Sequence, residues 1–330
     1  MCETEARRLG DIDVAVIHDL LEARGKQAVL SFEHEPPIDR KVIEVASAYM
    51  ADDDPSVGFI FSGWTQAALP HRALAQPDDI WQIRSGAVTL LVEPGRRPNP
   101  NPSLPPIAVG VPYGSRARLI MLYLQTEALK TNSREIELGK SLRSWIKRMG
   151  IPQGGKSIRD VREQADRISR CRLTFHAAAG QDRAGLMNQN IMDSAMFLDE
   201  EDEGRAGLFL EKAKLSESFF NELKKHPVPI EESAIRALSN NSVALDVYCW
   251  LAYRLHVLPK AKHVTWAAMK AQFGTGYAQD KVFKANFLPN LQLAMAVYRD
   301  AKVEVSSTGV TLHPSRAPVR PQLSTQSRIA

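Results

Sequence analysis

Apolar residues recur at helical spacing along much of the chain, and between residues 115 and 172 they outline an ordered series of elements. Residues 115–130 predict a helix with one buried stripe, and residues 135–138 fit a short strand. Ser141 then stands where its hydroxyl can cap a further helix, which Gly150 ends. This stretch therefore predicts helix, short strand and helix.

A glycine pair at 154–155 opens a third helix, which is amphipathic. Its apolar residues share one face and its cations point the other way, because successive side chains turn by about 100°. From Cys171 onward apolar and polar residues alternate, which predicts a strand, and residues 179–185 suit a turn into a partner strand. Three helices followed by a hairpin are typical of a winged helix-turn-helix, whose third helix can enter a DNA groove.

The same series is predicted a second time, after a stiff joint at residues 227–229 that contains two prolines. Residues 241–258 predict a helix and residues 263–264 a short strand. Residues 265–274 match the helix that begins at Ser141, apolar position for apolar position, at a constant offset of 124. The buried positions correspond between the two copies, whereas the exposed positions do not.

The third helix of the second copy is predicted to begin with Asp280 as its cap. Pro289 removes one backbone hydrogen bond from this helix, so a kink or a break is expected there. Residues 302–305 and 310–313 alternate around a turn that contains glycine, which predicts a hairpin. The predicted fold class is α+β, with tandem winged-helix domains and an N-terminal accessory region.

The chain divides into four predicted regions. Residues 1–110 form the accessory region, which ends in a proline-rich connector and packs on the first winged unit or on a second copy of the chain. Residues 111–215 form the first winged-helix domain and residues 216–315 the second. Residues 316–330 form a basic tail that is expected to be disordered.

Charge concentrates on the first unit. The chain has a net charge of +4, but residues 139–172 contain ten Lys or Arg against three acids, which gives +7. A charge run is most often a solvated helix face, and the second copy is what favours DNA binding here. The residues predicted to contact DNA are Arg143, Lys147, Lys156, Ser157, Arg159, Arg167 and Arg170 in the first unit, Gln279, Lys281, Lys284 and Gln292 in the second, and Arg316 in the tail.

Other classes of function find little support. The longest apolar run falls short of the 18 residues or so that a membrane span needs, and no secretory signal segment is recognised. Three cysteines lie far apart without metal-ligand spacing, and Cys171 and Cys249 lie on apolar faces, which predicts buried thiols in a reducing cytoplasm. We expect no metal, no cofactor and no catalytic residues, and so not an enzyme.

One motif supports an alternative. Residues 150–157 fit the phosphate-cradling loop of P-loop nucleotidases, and residues 196–200 resemble the apolar strand whose terminal acids would hold Mg²⁺. That loop requires a strand before it, whereas residues 141–149 have a helical period and carry three cations. The other interpretation is that the glycines turn the chain into a DNA-binding helix. A transcriptional repressor without an initiation role is a further alternative.

Longer motifs resemble a known family. They are Val-Pro-Tyr-Gly-Ser-Arg-Ala-Arg-Leu from residue 111, Cys-Arg-Leu-Thr-Phe from 171, His-Pro-Val-Pro-Ile from 226, Trp-Leu-Ala-Tyr-Arg-Leu from 250 and Leu-His-Pro-Ser from 312. From about residue 51 to residue 315 the chain resembles the plasmid-encoded RepA replication initiators.

The resemblance implies a cytoplasmic protein that binds repeats in double-stranded origin DNA and helps to open the adjacent duplex. It implies recruitment of the host replicative helicase, a role for the host chromosomal initiator, and repression of its own gene by a homodimer. By analogy with initiators that have paired winged domains, Lys281 and Lys284 would lie in a major groove, while the first unit holds the DNA backbone.

Overall fold

The described part of the chain is an antiparallel α+β fold with small sheets. The computed structural model describes residues 14–31, 39–86, 88–137, 147, 150–151, 154–178, 184–199 and 208–319. Within these ranges the strands form five sheets of two to four strands, and every pairing is antiparallel.

The N-terminal region contains two helices, a short third helix and five strands. They are α1 (Val14–Ser31), α2 (Arg40–Met50), β1 (Val57–Phe61), α3 (Ser62–Gln66), β2 (Trp81–Ser85), β3 (Val88–Glu93), β4 (Arg96–Arg97) and β5 (Ile107–Ala108). The predicted connector contains a strand pair, β4 with β5, on either side of its prolines 98–106. Arg96 closes this pair by donating from Nη1 to the carbonyl of Pro106 at 3.0 Å.

In the first predicted unit, the first helix, the short strand and the amphipathic third helix lie where the pattern predicted them. More strands than expected follow them. The elements are α4 (Gly114–Thr131), β6 (Glu135–Glu137), α5 (Gly155–Arg170), β7 (Arg172–Ala178), β8 (Ala184–Asn190), β9 (Met192–Asp199), β10 (Leu208–Leu215) and α6 (Glu217–Lys225). The helix predicted from Ser141 lies mostly outside the described residues. Lys147 alone is described there, and it is helical.

The hairpin β7–β8 exists as predicted but does not extend the first unit's own sheet. It joins the N-terminal strands in the order β2-β3-β7-β8, whereas β6 pairs with β10 in the sheet β6-β10-β9. The cause is aromatic packing: the ring of Phe175 on β7 meets Phe61 edge-on at 5.7 Å and Trp64 at 5.4 Å. The N-terminal region therefore binds the hairpin, and β9 and β10 take its place beside β6.

The predicted joint at residues 227–229 is a strand instead. It is β11 (Pro227–Glu231), which pairs with β1 in a two-stranded sheet. Val228 and Ile230 are buried on one side. Prolines are tolerated because β11 has a single neighbouring strand, so one side of its backbone needs no ladder donor.

The second predicted unit follows the pattern closely. Its elements are α7 (Glu232–Ala237), α8 (Ser242–Arg254), a short 3₁₀ turn (Leu255–Val257), β12 (Lys262–Thr265), α9 (Trp266–Phe273), α10 (Asp280–Ala296), β13 (Val303–Val305) and β14 (Gly309–Leu312). Thr265 caps α9 by accepting a hydrogen bond from the backbone N–H of Ala268 at 3.3 Å.

One expectation about α10 is wrong, and of the two outcomes expected at Pro289, a kink or a break, the break is excluded. Gln279, not Asp280, occupies the N-cap position, and Asp280 is the first helical residue, where its carboxylate pairs with Lys270 at 2.8 Å. The helix also does not break at Pro289 but continues to Ala296. Buried side chains on both sides of the proline, such as Phe287 and Leu291, hold the two halves against the same core.

Both three-stranded sheets have the same strand order. In β6-β10-β9 and in β12-β14-β13, the third strand in sequence lies in the centre, between the first and the second. The N-terminal region is connected to both units, because β3 pairs with β7 of the first and α2 packs on α10 of the second. The four-region division of the chain stays a prediction. Its boundaries at 110 and 215 separate regions whose elements share sheets or helix contacts.

Candidate nucleic-acid interface

The exposed face of α5 begins with two cations. Lys156 and Arg159 are exposed, whereas Val161, Ala165 and Ile168 on the opposite face are buried. Neither cation makes an ion pair or a hydrogen bond with any residue that the structure describes. Gly154 at the N-cap supplies no side-chain acceptor, so the first N–H groups of the helix also lack a side-chain cap. This end of α5 is a compact positive surface.

Two other cations of α5 act within the protein. The Arg167 guanidinium donates to the carbonyl of Val111 at 3.0 Å and to Glu163 at 2.6 Å, and it lies 5.0 Å from the ring centre of Tyr113. Its side chain is only 17% exposed. Gly110 has a φ of 80°, and a β-carbon there would collide with this guanidinium.

Arg170 is engaged in a similar way, so neither arginine offers a free charge. Its Nε donates to Asp166 at 2.6 Å, and Nη1 donates to the carbonyl of Arg96 at 3.3 Å. The amphipathic pattern predicted the outward face but not these local partners. Arg167 and Arg170 anchor α5 to the segments before α4 and around β4.

The remaining first-unit candidates have mixed positions. Lys147 is exposed and lines an open cavity of about 440 Å³ beside α4 and α7, together with Lys130 and Arg236. Ser157 is half-buried. Arg143 lies outside the described residues.

In the second unit the candidates cluster at the N-terminal half of α10. Gln279 and Lys281 are exposed. Lys284 is half-buried, with Nζ 5.1 Å from the ring centre of Trp266 and 3.4 Å from the carbonyl oxygen of Ser307. The loop between β13 and β14 therefore lies beside α10, and Trp266 fixes that loop by donating from Nε1 to the carbonyl of Ser306 at 3.1 Å.

The last two candidates lie away from this cluster. Gln292 is half-buried, farther along the same unbroken helix. Arg316 has an exposed side chain, and its carbonyl accepts a hydrogen bond from the Tyr298 hydroxyl at 2.7 Å. The start of the predicted tail is thus tied to the second unit, and residues 320–330 lie outside the described residues.

A charged cluster that sequence reasoning missed joins the first helices of the two units. Arg118 on α4 makes two hydrogen bonds to Asp246 on α8, at 2.6 Å and 2.7 Å, with side chains only 10% and 12% exposed. The same guanidinium donates to the carbonyls of Leu69, Pro70 and Gly114. The only signal in the sequence is an arginine among the apolar residues of α4.

His71 completes this cluster as a neutral acceptor. Its Nδ1 lies 3.3 Å from Arg118 Nη2 and 3.1 Å from the hydroxyl of Ser242. Since a guanidinium can only donate, Nδ1 carries no proton and Nε2 carries it. Burial and the nearby charge of Arg118 lower the pKa of His71 to about 4, although Asp246 acts in the opposite direction. We call Arg118, Asp246 and His71 the inter-helix cluster.

The predicted thiols are buried, and burial raises the pKa of Cys171 to about 12 and that of Cys249 further. No group of His, Cys, Asp or Glu with metal-site geometry occurs in the described ranges. None of the helices there combines the length and the apolar content that a bilayer crossing requires. The parallel strand that a P-loop needs is not found among the described strands either.

The fold is similar to that of a solved structure of another protein. A crystal structure of domains 2 and 3 of RctB, as a selenomethionine derivative, aligns with a TM-score of 0.51 and 11% sequence identity, over 79% of this chain and 100% of that chain. A second crystal structure of RctB domains 2–3 aligns with a TM-score of 0.41 and 11% identity, over 71% of this chain and 85% of that chain. No curated protein matches the chain.

The family of plasmid-encoded RepA proteins matches residues 111–269. This range starts at the Val-Pro-Tyr-Gly motif before α4, includes the cationic end of α5 and both partners of the Arg118–Asp246 pair, and ends within α9. Residues 111–269 therefore form a region of the plasmid-encoded RepA family.

Proposed function

We propose that the chain is a plasmid replication initiator that binds repeats in double-stranded origin DNA through two winged-helix units. The observation that carries the proposal is the exposed cationic end of α5, Lys156 and Arg159, which pair with none of the residues that the structure describes and lie within the region that matches the RepA family. Lysine and arginine at a helix N-terminus, with uncapped N–H groups beside them, attract phosphate by charge and by hydrogen bonding.

The second unit has the element order of a winged helix. Helix α8, strand β12, helices α9 and α10 and the hairpin β13–β14 follow one another as that motif requires. In this arrangement α10 is the helix that enters the major groove, with Gln279 and Lys281 at its exposed start, and the loop beside Lys284 is the wing. Lys284 then contributes through the wing, because Trp266 and Ser307 already hold its ammonium group.

The first unit fits the same motif once its wing is reassigned. The sheet β6-β10-β9 has the strand order of β12-β14-β13, so β9 and β10 are the wing strands and β7–β8 is a hairpin inserted before them. Helix α5 is the third helix and holds the DNA backbone through Lys156 and Arg159, with Ser157 between them in sequence; Lys147 and Arg143 are proposed as further contacts of the same unit. Arg167 and Arg170 are left out of this interface because they are engaged within the chain.

Further partners follow from the family. An initiator opens the adjacent duplex and brings in the host replicative helicase, with the chromosomal initiator of the host, and represses its own gene as a homodimer in the cytoplasm. None of these steps requires a bound cofactor or a catalytic side chain of this chain.

The test uses fluorescence anisotropy to measure binding of the full chain to duplexes from the DNA that flanks its gene. A scrambled duplex is the control. We expect nanomolar binding to a repeated sequence and at least about 1000-fold weaker binding to the scrambled duplex at physiological salt. Equal affinity for both would refute the proposal. Loss of plasmid maintenance when the gene is deleted in the presence of an intact origin distinguishes an initiator from a repressor.

A further inference from the structure

The exposed side of α10 carries an apolar surface on its first turns. Val282 is 45% exposed, although valine is a residue that folding normally buries, and Ala285 next to it is exposed as well. The two are three residues apart on one helix, so their side chains are neighbours. Lys281 borders them on one side and Asn286 on the other.

The polar side chains around this surface are turned back toward the protein. Asn286 donates from Nδ2 to the carbonyl of Val282 at 2.8 Å, and Asn290 donates to the carbonyl of Asn286 at 2.6 Å while its oxygen accepts from Asn241. The bidentate contact by which asparagine reads adenine needs both atoms of the amide free to face the base. These amides are therefore poorly placed for it.

The ammonium of Lys284 is likewise engaged within the protein, by Trp266 and Ser307. The outward groups on the first turns of α10 that no described residue holds include the ammonium of Lys281, the two methyl groups of Val282 and the methyl group of Ala285. In a major groove, the base feature that matches such methyl groups is the C5-methyl of thymine.

We infer that Val282 and Ala285 read thymine methyl groups in the origin repeat, so that α10 selects its sequence mainly by apolar contact, with Lys281 and Gln279 as polar contacts beside it. This inference rests on the proposed function and names the base feature that the same helix recognises. It assigns to Val282 the role of a specificity-determining residue.

The test changes one methyl group at a time. The full chain first selects its preferred duplex from a random-sequence library, and each thymine of that duplex is then replaced by deoxyuridine, which lacks only the C5-methyl. For the wild-type protein we expect one or two positions at which deoxyuridine weakens binding about fourfold, the value for one buried methyl-sized group. In Val282→Ala the same replacement should have little further effect.

Val257→Ala is the matched control, because Val257 is a 63% exposed valine outside α10. It should keep the full sensitivity to deoxyuridine. Two outcomes would overturn the inference while leaving the proposed function intact: tight binding that no deoxyuridine weakens, or the wild-type pattern of sensitivity in both Val282→Ala and Ala285→Gly. Failure to bind any duplex would instead refute the proposed function, and the inference with it.

Discussion

Replacing Asp246 by asparagine removes one charge of the inter-helix cluster and leaves the shape of the side chain almost unchanged. Arg118 would then keep its full positive charge at a site where its side chain is only 10% exposed, with three backbone carbonyls as its main partners. Breaking a buried ion pair by removing one partner costs about 3 to 5 kcal/mol. We expect Asp246→Asn to lower the free energy of unfolding by about 3 kcal/mol, because those carbonyls offset part of the loss.

The double-mutant cycle gives the sharper measurement. Arg118→Met removes the other charge, and the double variant removes both, so no isolated buried charge remains. The double variant should be less destabilised than the sum of the two single variants by at least about 2 kcal/mol. Urea unfolding followed by tryptophan fluorescence and far-UV circular dichroism would measure all four proteins, and coincident transitions would establish one cooperative step.

Glu44→Gln is the control, because the Arg40–Glu44 pair has a similar distance of 3.0 Å but side chains that are 79% and 45% exposed. Its loss should cost less than about 1 kcal/mol. A loss as small as this for Asp246→Asn, or strict additivity in the cycle, would refute the conclusion that the cluster joins the two units.

Three further predictions use other sites. The pKa of His71 is depressed, so between pH 6.5 and about 4 the unfolded chain binds a proton that the folded chain does not, and the free energy of unfolding falls as the pH drops through this range. Urea unfolding at pH 7 and pH 4.5 should show that His71→Gln reduces this fall by about 2 kcal/mol, and an identical pH dependence of the two proteins would contradict the prediction. If about six to eight phosphates are neutralised, the logarithm of the DNA association constant plotted against the logarithm of the salt concentration should have a slope of about −5 to −7. The double variant Lys156→Ala with Arg159→Ala should make this slope shallower by about 2, whereas Lys41→Ala, the control, should leave it unchanged. Lys281→Ala should lower the ratio of repeat to random-duplex affinity about tenfold in competition anisotropy; an unchanged ratio would remove Lys281 from the base contacts.

The second unit could be predicted almost completely from the sequence, because its elements depend on local periodicity. The alternation in residues 302–313 gave β13 and β14, and the offset from Ser141 to Thr265 placed the cap of α9 correctly. The continuity of α10 through Pro289 could not be predicted, since it depends on how Phe287 and Leu291 pack against other elements.

Strand partners could not be predicted for the same reason. Nothing local to β7 indicates that it pairs with β3 instead of β6; the choice depends on Phe61 and Trp64, which are more than a hundred residues away in sequence. Residues 227–229 likewise resemble a turn until their partner β1 is known.

The candidate interface was predicted in part. Helical periodicity alone gives the outward positions of Lys156 and Arg159. It also points Arg167 outward, but the segment before α4 supplies Val111 and Tyr113 as partners for that guanidinium. Contacts between segments decide which cations are free, and a single sequence does not reveal them.

The pairing of β1 with β11 has a consequence for synthesis on the ribosome. Val57 pairs with Glu231, so 174 residues must be added after Val57 before its partner exists, which takes roughly 10 to 35 s at about 5 to 20 residues per second. During that interval the segment Val-Gly-Phe-Ile-Phe has no ladder partner and resembles the bare strand edges on which chains aggregate. The nascent protein therefore has a period in which chaperone binding at β1 would protect it, and that period ends when β11 leaves the exit tunnel.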